Sequence, residues 1–233
     1  MAGVEDYYKH YEDIYASRDQ FKISYYPYLS MGSTELMGAG VNNSPYENAY
    51  VSVFGRVNYN YKSKYYAQAN FRYDGSGRFK KGNRWGFFPS VSAGWVLTQE
   101  KFMEGARNVL SFLKLRASYG QLGNDRIGNY PYQSTLSSND PVGFVGSSSL
   151  VQALQGFSAY QMVLDDITWE TTETYDVGID VNFLNDRLRI TADYYKKTTR
   201  DMLILVDIPS YLGYTAPYKN SGDMNPKGSD LSV

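Results

Sequence analysis

The strongest constraint on the fold of this chain is a regular alternation of apolar and polar residues. It begins at Ala49, where Val53 and Val57 occupy one row of positions and Arg56 and Asn58 occupy the other. Because successive side chains of a strand point to opposite faces, this period of two predicts strands with unlike faces. The same pattern returns in residues 65–73, 87–97, 113–119, 175–183 and 188–194. The sequence therefore predicts an all-β fold of about six antiparallel strands.

The predicted strands are joined by connections of two kinds. Short turns at residues 62–63 and 184–187 alternate with longer segments at 74–84, at 120–168 and from 195 onward. One end of the sheet is therefore expected to carry short turns and the other end long loops. Residues 98–110 form an intermediate link, and its run of good helix formers predicts a short helix there.

The composition agrees with a β-rich protein and excludes several classes of function. The chain has 24 tyrosines among 233 residues, which favours strands with wet aromatic surfaces over a helical enzyme. A formal net charge of -1 offers no strongly basic surface, so we expect no nucleic-acid partner. The absence of cysteine excludes thiol catalysis and a disulfide framework.

Aromatic residues on the apolar rows are concentrated toward both ends of the predicted strands, with aliphatic residues between them. Tyrosine and tryptophan rings favour the headgroup level of a bilayer, and aliphatic side chains favour its hydrocarbon. We therefore expect lipid-interface aromatics near the short turns at Tyr59, Tyr61, Tyr65, Trp95 and Phe183, and near the long loops at Phe71, Tyr73, Phe87, Tyr119, Tyr175 and Tyr194.

The length of the strands also favours a membrane protein. Strands of about 10 residues cross a thin outer membrane at a tilt, whereas soluble strands usually have about 5 or 6. The sequence therefore predicts a segment of a transmembrane β-barrel. Because outer-membrane barrels have at least about 8 strands, six strands would be part of a larger barrel. A soluble β-sandwich module that binds carbohydrate is the alternative.

The rows opposite the apolar ones carry the polar and charged residues of the predicted strands. In a wide barrel these rows face an aqueous or plugged lumen, where opposite charges pair with neighbours or with a plug. The predicted lumen-facing residues are Arg56, Asn58, Gln68, Asn70, Arg72, Lys114, Arg116, Asp176, Asp180, Arg189 and Asp193.

Motifs for catalysis, metals or cofactors are weak in this sequence, and we predict neither an enzyme nor a bound cofactor. His10 has no cysteine partner for a metal site, and Gly75–Gly77 has no later histidine to serve as a base. Glu170 and Glu173, or Asp165–Asp166, resemble an acid pair for glycoside hydrolysis only superficially, because nothing in the sequence would raise the pKa of either.

Tyrosines in the predicted loops are the candidates for contact with a ligand. Aromatic faces stack on sugar rings, and the phenol adds a hydrogen-bonding group. The alternatives are packing of the loops on each other and contact with a lid protein. The candidate ligand-contacting or lid-contacting residues are Tyr25, Tyr26, Tyr28, Tyr130, Tyr132, Tyr211 and Tyr214.

Four separated motifs resemble the SusC/RagA family of TonB-dependent outer-membrane transporters, and they occur in the family's order. They are YYAQANFRYDGS at 65–76, GNRWGFFPSVSAGW at 82–95, LKLRASYGQLGN at 113–124 and WETTETYDVG at 169–178. The likeness runs over most of residues 49–225. The resemblance implies a place in a barrel of about 22 strands that encloses a plug.

The resemblance also implies a function and partners. Such transporters import glycans or peptides across the outer membrane, together with a SusD-like surface lipoprotein and with TonB, which acts on the plug. The expected contacts are therefore outer-membrane lipid, a SusD-like lipoprotein, TonB, and an oligosaccharide or peptide. The signal sequence, plug and TonB box are expected to lie outside these residues.

Three regions follow from these predictions. Residues 1–48 resemble a tyrosine-rich extracellular loop, and residues 49–208 hold the barrel strands with short periplasmic turns and long extracellular loops. Residues 209–233 are expected to form another extracellular loop and a truncated end.

Overall fold

The computed structural model describes residues 1–21, 25, 28–32, 39–42, 45–147, 150–159 and 161–233. These residues form an all-β chain with a few 3₁₀ helices, none of which is both long and apolar enough to cross a bilayer. The strands are β1 (Ala2–Tyr11), β2 (Tyr15–Arg18), β3 (Ala39–Asn42), β4 (Tyr46–Tyr61), β5 (Tyr65–Ser76), β6 (Trp85–Val96), β7 (Leu110–Asn124), β8 (Leu136–Ser147), β9 (Leu150–Ala159), β10 (Glu170–Phe183), β11 (Leu188–Arg200), β12 (Leu203–Leu205), β13 (Tyr218–Asn220) and β14 (Lys227–Ser232). The 3₁₀ helices are Leu29–Met31, Leu97–Gln99, Lys101–Ala106 and Ser210–Leu212.

Eight of these strands form one sheet in the order β1-β4-β5-β6-β7-β10-β11-β14. From β4 to β14 each neighbouring pair is antiparallel. Three smaller two-stranded sheets pair β2 with β3, β8 with β9, and β12 with β13. Within the described residues, β1 and β14 are the two edges of the large sheet, and the sheet does not close. The predicted antiparallel all-β architecture is confirmed.

The short connections lie where the sequence predicts them. Lys62 and Ser63 join β4 to β5 with positive φ angles of 52° and 53°, and the amide of Ser63 donates to Asn60 Oδ1 at 3.0 Å. The turn from β10 to β11 likewise holds positive φ angles at Leu184, Asn185 and Asp186. The predicted short helix in the link after β6 is present as two 3₁₀ segments.

The structure contains more strands than the six predicted. Strand β1 lies in the segment predicted to resemble a loop, and β14 lies in the segment predicted to be a loop and truncated end. Neither strand has a clear row of apolar residues, because β14 reads KGSDLS and β1 mixes charged and aromatic residues on both faces. Hydrogen bonds between backbones place β14 beside β11, and such bonds leave no pattern in the sequence.

The hairpin turns are staggered across the sheet. Tyr61 and Tyr65 pair with each other where β4 turns into β5. The residues in register with them on the next three strands are Trp95, Leu115 and Ile179. On β10 the chain turns only four residues later, at Phe183. Four residues of strand span about 13 Å, so successive turns are displaced along the strands. Such a stagger accompanies strand tilt in barrels.

The chain divides into two compact units, the first comprising residues 1–6 and 50–233 and the second residues 7–49. In the second unit, β2 pairs with β3 from Tyr15 opposite Asn42 to Arg18 opposite Ala39. Tyr11 stacks on Tyr46 with ring centroids 4.9 Å apart. This unit therefore has paired strands and stacked rings of its own, although its residues were predicted to resemble a loop.

The main hydrophobic core lies at the end of the first unit that carries the long loops. Its buried members come from β6 and from three connecting segments that are distant in sequence, and they are Phe79, Phe88, Ile127, Ile167 and Trp169. The Trp169 ring lies 5.4 Å from the Phe79 ring and 5.3 Å from the Phe88 ring. Trp169 Nε1 donates to the carbonyl of Arg84 at 2.9 Å. These contacts join the loops into one packed layer over this end of the sheet.

Glycines beside this core make room for its aromatic rings. The Phe88 ring lies over Gly86 and Gly123, where an added Cβ would come within 2.4 Å and 2.0 Å of the ring, respectively. Since Phe88 is buried against Trp169, its ring has little freedom to move away. The glycine of the sequence QLGN is therefore required by the packing of a neighbouring strand.

We predict that Gly123→Ala lowers stability, because the methyl group would overpack the Phe88 ring at a cost of about 1–3 kcal/mol. The measurement is the temperature at which the detergent-purified protein loses its folded, SDS-resistant form. Gly105→Ala is the matched control, because an added Cβ at Gly105 meets no atom within 4 Å. Equal melting of both variants would contradict the proposed role of Gly123.

Candidate functional site

The register of the sheet places all eleven predicted lumen-facing residues on one face. Arg56 pairs with Asn70 and Asn58 with Gln68, and this row continues through Ser92 and Ser118 to Asp176. The same alternation puts Arg72, Lys114, Arg116, Asp180, Arg189 and Asp193 on that face. We call it the polar face.

The opposite face carries the predicted lipid-interface aromatics, and we call it the apolar face. It holds Tyr59, Tyr61, Tyr65, Phe71, Tyr73, Phe87, Trp95, Tyr119, Tyr175, Phe183 and Tyr194. Many of its side chains are exposed, including Val57 at 69% and Val177 at 54%. In contrast, several residues of the polar face are buried, including Ser52 and Asp74. This distribution is the reverse of that in a soluble sheet.

The aromatic residues of the apolar face meet in cross-strand contacts near both ends of the strands. Toward the long loops, the Tyr119 and Tyr175 ring centroids lie 4.8 Å apart and the Phe71 and Phe87 centroids 6.4 Å apart. Trp85 stacks on Tyr73 at 4.8 Å and belongs to the same group. The sequence analysis missed Trp85, although its position two residues before Phe87 places it in the same row.

Toward the short turns, a second aromatic group surrounds a carboxylate. Tyr61, Tyr65 and Trp95 stack in sequence across three strands. Glu100 Oε1 accepts hydrogen bonds from Tyr65 Oη at 2.6 Å and from Trp95 Nε1 at 3.2 Å, and Lys64 Nζ donates to its Oε2 at 3.3 Å. These donors lower the pKa of Glu100, with the Tyr65 hydroxyl having the largest effect. The charged carboxylate therefore fixes the polar edges of both rings.

The central feature of the polar face is an ion triad of Arg116, Asp180 and Asp193. Arg116 Nη2 donates to Asp180 Oδ1 and to Asp193 Oδ1, each at 3.0 Å, and its Nε lies 2.9 Å from Asp180 Oδ2. Gly178 pairs with Arg116 on one side and with Asp193 on the other. A Cβ at Gly178 would come 2.0 Å from Asp193 Oδ1. The missing side chain of Gly178 therefore leaves the space that this triad occupies.

A second group of polar contacts lies nearer the long loops. Arg72 donates to Asp74 at 3.3 Å, to Glu5 at 3.3 Å and to Ser52 Oγ at 3.0 Å. Its guanidinium is therefore shared between two carboxylates, one of them on β1. The sequence analysis placed Arg72 on this face, but it did not find Glu5, because β1 lacks a clear alternation.

Asn70 connects the polar residues between these two groups. It accepts hydrogen bonds from Arg56 Nε at 2.7 Å and from Gln68 Nε2 at 3.3 Å, and it donates to Ser90 Oγ at 2.9 Å. Among the described residues, Arg56 forms no ion pair with a carboxylate.

Two concave regions of the polar face are large enough for a polar group or a short segment of chain. One has a volume of about 450 Å³ and is lined by residues that include Asn58, Lys114 and Asp176. The other, nearer the long loops, has a volume of about 670 Å³ and includes Arg56, Asn70 and Arg72. Both combine charges with amides and hydroxyls, a set of groups that binds polar oligomers by hydrogen bonding.

The glutamates considered as a catalytic pair accept hydrogen bonds from different partners. Glu170 accepts from Asn124 Nδ2 and from the amide of Leu203, each at 3.0 Å. Glu173 is three residues further along β10, which puts it on the opposite face of the sheet. There it accepts from Gln121 Nε2 at 3.1 Å. Because the two carboxylates point to opposite faces, they cannot act on one glycosidic bond.

No metal cluster of three or more histidine, cysteine or acidic side chains is found in the part of the chain that the structure describes. His10 instead has its two ring nitrogens near acidic side chains of its own unit. Nδ1 lies 3.2 Å from Glu47 Oε1, and Nε2 lies 3.1 Å from Glu12 Oε1.

The loop tyrosines are placed as follows. Tyr25 and Tyr28 are exposed in the second unit, and Tyr26 lies outside the described residues. In the first unit, the rings of Tyr130 and Tyr132 meet edge to face at 6.3 Å. Tyr211 and Tyr214 are exposed beside the 3₁₀ helix Ser210–Leu212, with Tyr211 at 85%. Their role in ligand or lid contact remains a prediction.

We predict that Arg116→Gln destabilises the protein by about 1–3 kcal/mol, because two partly buried carboxylates would lose their shared cation. Arg189→Gln is the matched control, since Arg189 lies on the same face and forms no ion pair among the described residues. Melting of the detergent-purified variants is the measurement. Addition of Asp193→Asn to Arg116→Gln is expected to restore part of the loss, and a failure of Arg116→Gln to melt earlier than Arg189→Gln would refute the role of the triad.

Comparisons with known proteins agree with this architecture. Residues 3–233 match the family described as TonB dependent receptor-like, beta-barrel. TonB-dependent receptor SusC of Bacteroides thetaiotaomicron is 35% identical over 188 residues, which is 80% of this chain and 18% of that protein. TonB-dependent receptor P3 of Formosa agariphila is 36% identical over 187 residues, also 80% of this chain and 18% of that protein. The chain therefore spans about a fifth of the length of these relatives.

Solved structures show the same likeness. The structure of the RagAB peptide transporter has a TM-score of 0.83 at 32% identity and covers 99% of this chain and 25% of that one. The RagAB peptide importer in its closed-closed state also has a TM-score of 0.83, at 31% identity, and covers 99% of this chain and 24% of that one. These relatives are receptors and importers, in agreement with the prediction that the chain is not an enzyme. The chain belongs to the TonB-dependent receptor-like β-barrel family, as a segment similar to SusC and RagA.

Proposed function

We propose that this chain forms part of the wall of an outer-membrane transporter that depends on TonB. The apolar face would contact lipid, and the polar face would line the lumen or contact a plug. The observation that carries the proposal is one long-stranded sheet whose apolar face is exposed while its polar face holds the ion pairs. A soluble β-sandwich would cover the apolar face with a second sheet. The other sheets among the described residues have only two strands each.

The aromatic contacts support the proposed orientation. The Tyr61–Tyr65–Trp95 group would lie at the periplasmic interface, and the Tyr73–Trp85 and Tyr119–Tyr175 pairs at the extracellular interface. Aliphatic residues such as Val57 lie between them, as the hydrocarbon layer requires. The layer of packed loops around Trp169 would then face outward from the cell.

The substrate class and the partner rest on the relatives. Two of the solved neighbours are described as a peptide importer. The family that the sequence motifs resemble imports glycans or peptides, so an oligopeptide or an oligosaccharide is the proposed substrate. The amides, hydroxyls and charges of the polar face suit such a polar oligomer. A SusD-like surface lipoprotein is the proposed partner at the long-loop end.

We predict that Val57→Arg impairs insertion into the outer membrane, because an arginine facing lipid near the midplane costs about 2–4 kcal/mol. Asn58→Arg is the matched control, since it adds the same charge at the same depth on the polar face. Insertion is measured by the amount of heat-modifiable, protease-resistant protein in outer-membrane fractions.

The wall proposal requires the two variants to differ. Equal insertion of Val57→Arg and Asn58→Arg would contradict it, because the faces would then not differ in their surroundings. A soluble, monomeric wild-type protein without detergent would also contradict it and would favour the β-sandwich alternative.

We predict that a surface lipoprotein co-purifies with the protein in mild detergent. Tyr211→Ala together with Tyr214→Ala is expected to reduce its recovery, because exposed aromatic side chains often provide the main contacts of an interface. The control is Phe102→Ala, which removes a ring that is 68% exposed at the opposite end of the sheet. Recovery that falls equally in both would argue against contact at these tyrosines, and the absence of any lipoprotein would contradict the proposed partner.

A further inference from the structure

Two lysines face each other directly across the last pair of strands. The register of β11 and β14 pairs Lys196 with Lys227, and on the other side Lys196 pairs with Tyr175 of β10. Both lysines therefore lie on the apolar face, in the row that also contains Tyr119 and Tyr175. Both side chains are exposed.

Neither lysine is neutralised by a carboxylate among the described residues. Glu173, the acid nearest along this face of β10, already accepts from Gln121 and lies 3.7 Å from Arg200. Asp193 and Asp230 belong to the polar face, where they form a pair of opposite residues. Like charges directly opposite each other in a sheet are destabilising, so an anion bound between the two ammonium groups would stabilise the pair.

The level of the two lysines indicates where an anion would come from. They share a row with the tyrosine pair that would mark the extracellular interface of the membrane. Lysine side chains at such a level extend their charged ends into the headgroup layer, and clusters of basic residues there bind anionic headgroups.

An apolar groove on the same face extends as far as Tyr194 of β11, and the two lysines lie just beyond its lining residues. It has a volume of about 850 Å³, and its floor is built from small residues that include Ala93, Ala117 and Ala192. Trp95 and Tyr194 are among its other lining residues, and Tyr194 lies two positions before Lys196. A paired cation at one end of an apolar groove matches the chemistry of a lipid, with an anionic headgroup and acyl chains.

We propose that Lys196 and Lys227 bind the phosphate of an outer-leaflet lipid headgroup, with the acyl chains of that lipid in the adjacent groove. The proposal rests on the proposed function, since it requires the apolar face to contact the membrane. The lipid phosphate would remove the repulsion between the two ammonium groups. A free phosphate ion would leave the groove unoccupied, and for this reason we assign the site to a lipid.

The test measures which lipid the whole protein prefers after reconstitution in phosphatidylcholine vesicles. One set of vesicles contains brominated phosphatidylglycerol, and the other contains brominated phosphatidylcholine. Bromine quenches tryptophan fluorescence at short range, and a Tyr194→Trp substitution in every protein compared places a reporter in the groove two positions from Lys196. We expect the wild type to prefer phosphatidylglycerol. Lys196→Gln with Lys227→Gln should lower this preference about fivefold for each lysine removed, which corresponds to about 1 kcal/mol per basic residue.

Lys197→Gln is the matched control, because it removes the same charge one residue away on the polar face, where Lys197 lies over the Tyr195 ring. It should keep the preference of the wild type. No preference in the wild type, or an equal loss in the control, would overturn the proposal. A third result would also overturn it: inorganic phosphate stabilises the detergent-solubilised wild-type protein but not the double variant. The lysines would then bind a free anion.

Failure of this inference is distinguishable from failure of the proposed function. A wild-type protein that inserts into vesicles but does not distinguish the two lipids contradicts only the lysine site. A wild-type protein that does not insert contradicts the wall proposal, and the lysine site with it.

Discussion

The register of the eight-stranded sheet is the constraint on which the other features of this protein depend. Because side chains alternate along every strand, one consistent register separates the residues of all strands into two faces. A shift of one residue in β10 would bring Asp180 onto the apolar face and Val181 onto the polar face. Each hairpin therefore contributes to the same separation, and the aromatic contacts, the ion triad and the lysine pair all follow from it.

Packing between neighbouring strands uses glycine to accommodate side chains. Gly178 leaves room for the carboxylate of Asp193, and Gly123 leaves room for the ring of Phe88. Both are members of the motifs that resemble the transporter family. Their presence has a physical reason in this structure, since a methyl group at either position would meet an atom that is itself held by other contacts.

Sequence reasoning identified the central strands because each has two unlike rows over many residues. It missed β1 and β14, whose residues do not alternate clearly and whose positions depend on backbone hydrogen bonds to neighbours. It also missed the packed layer of Phe79, Ile127, Ile167 and Trp169, because these residues come from segments far apart in the chain. Glu100 was predicted only as part of a helix, and its contacts with Tyr65 and Trp95 depend on how the link folds back.

The sequence by itself determined which residues share a face and which ends of the strands carry aromatic rings, because both follow from local alternation. Only the tertiary structure decided which residues meet across strands. Lys196 and Lys227 are far apart in sequence, and nothing near either of them indicates the other. Their pairing depends on the register between β11 and β14, which arises from hydrogen bonds along the whole sheet.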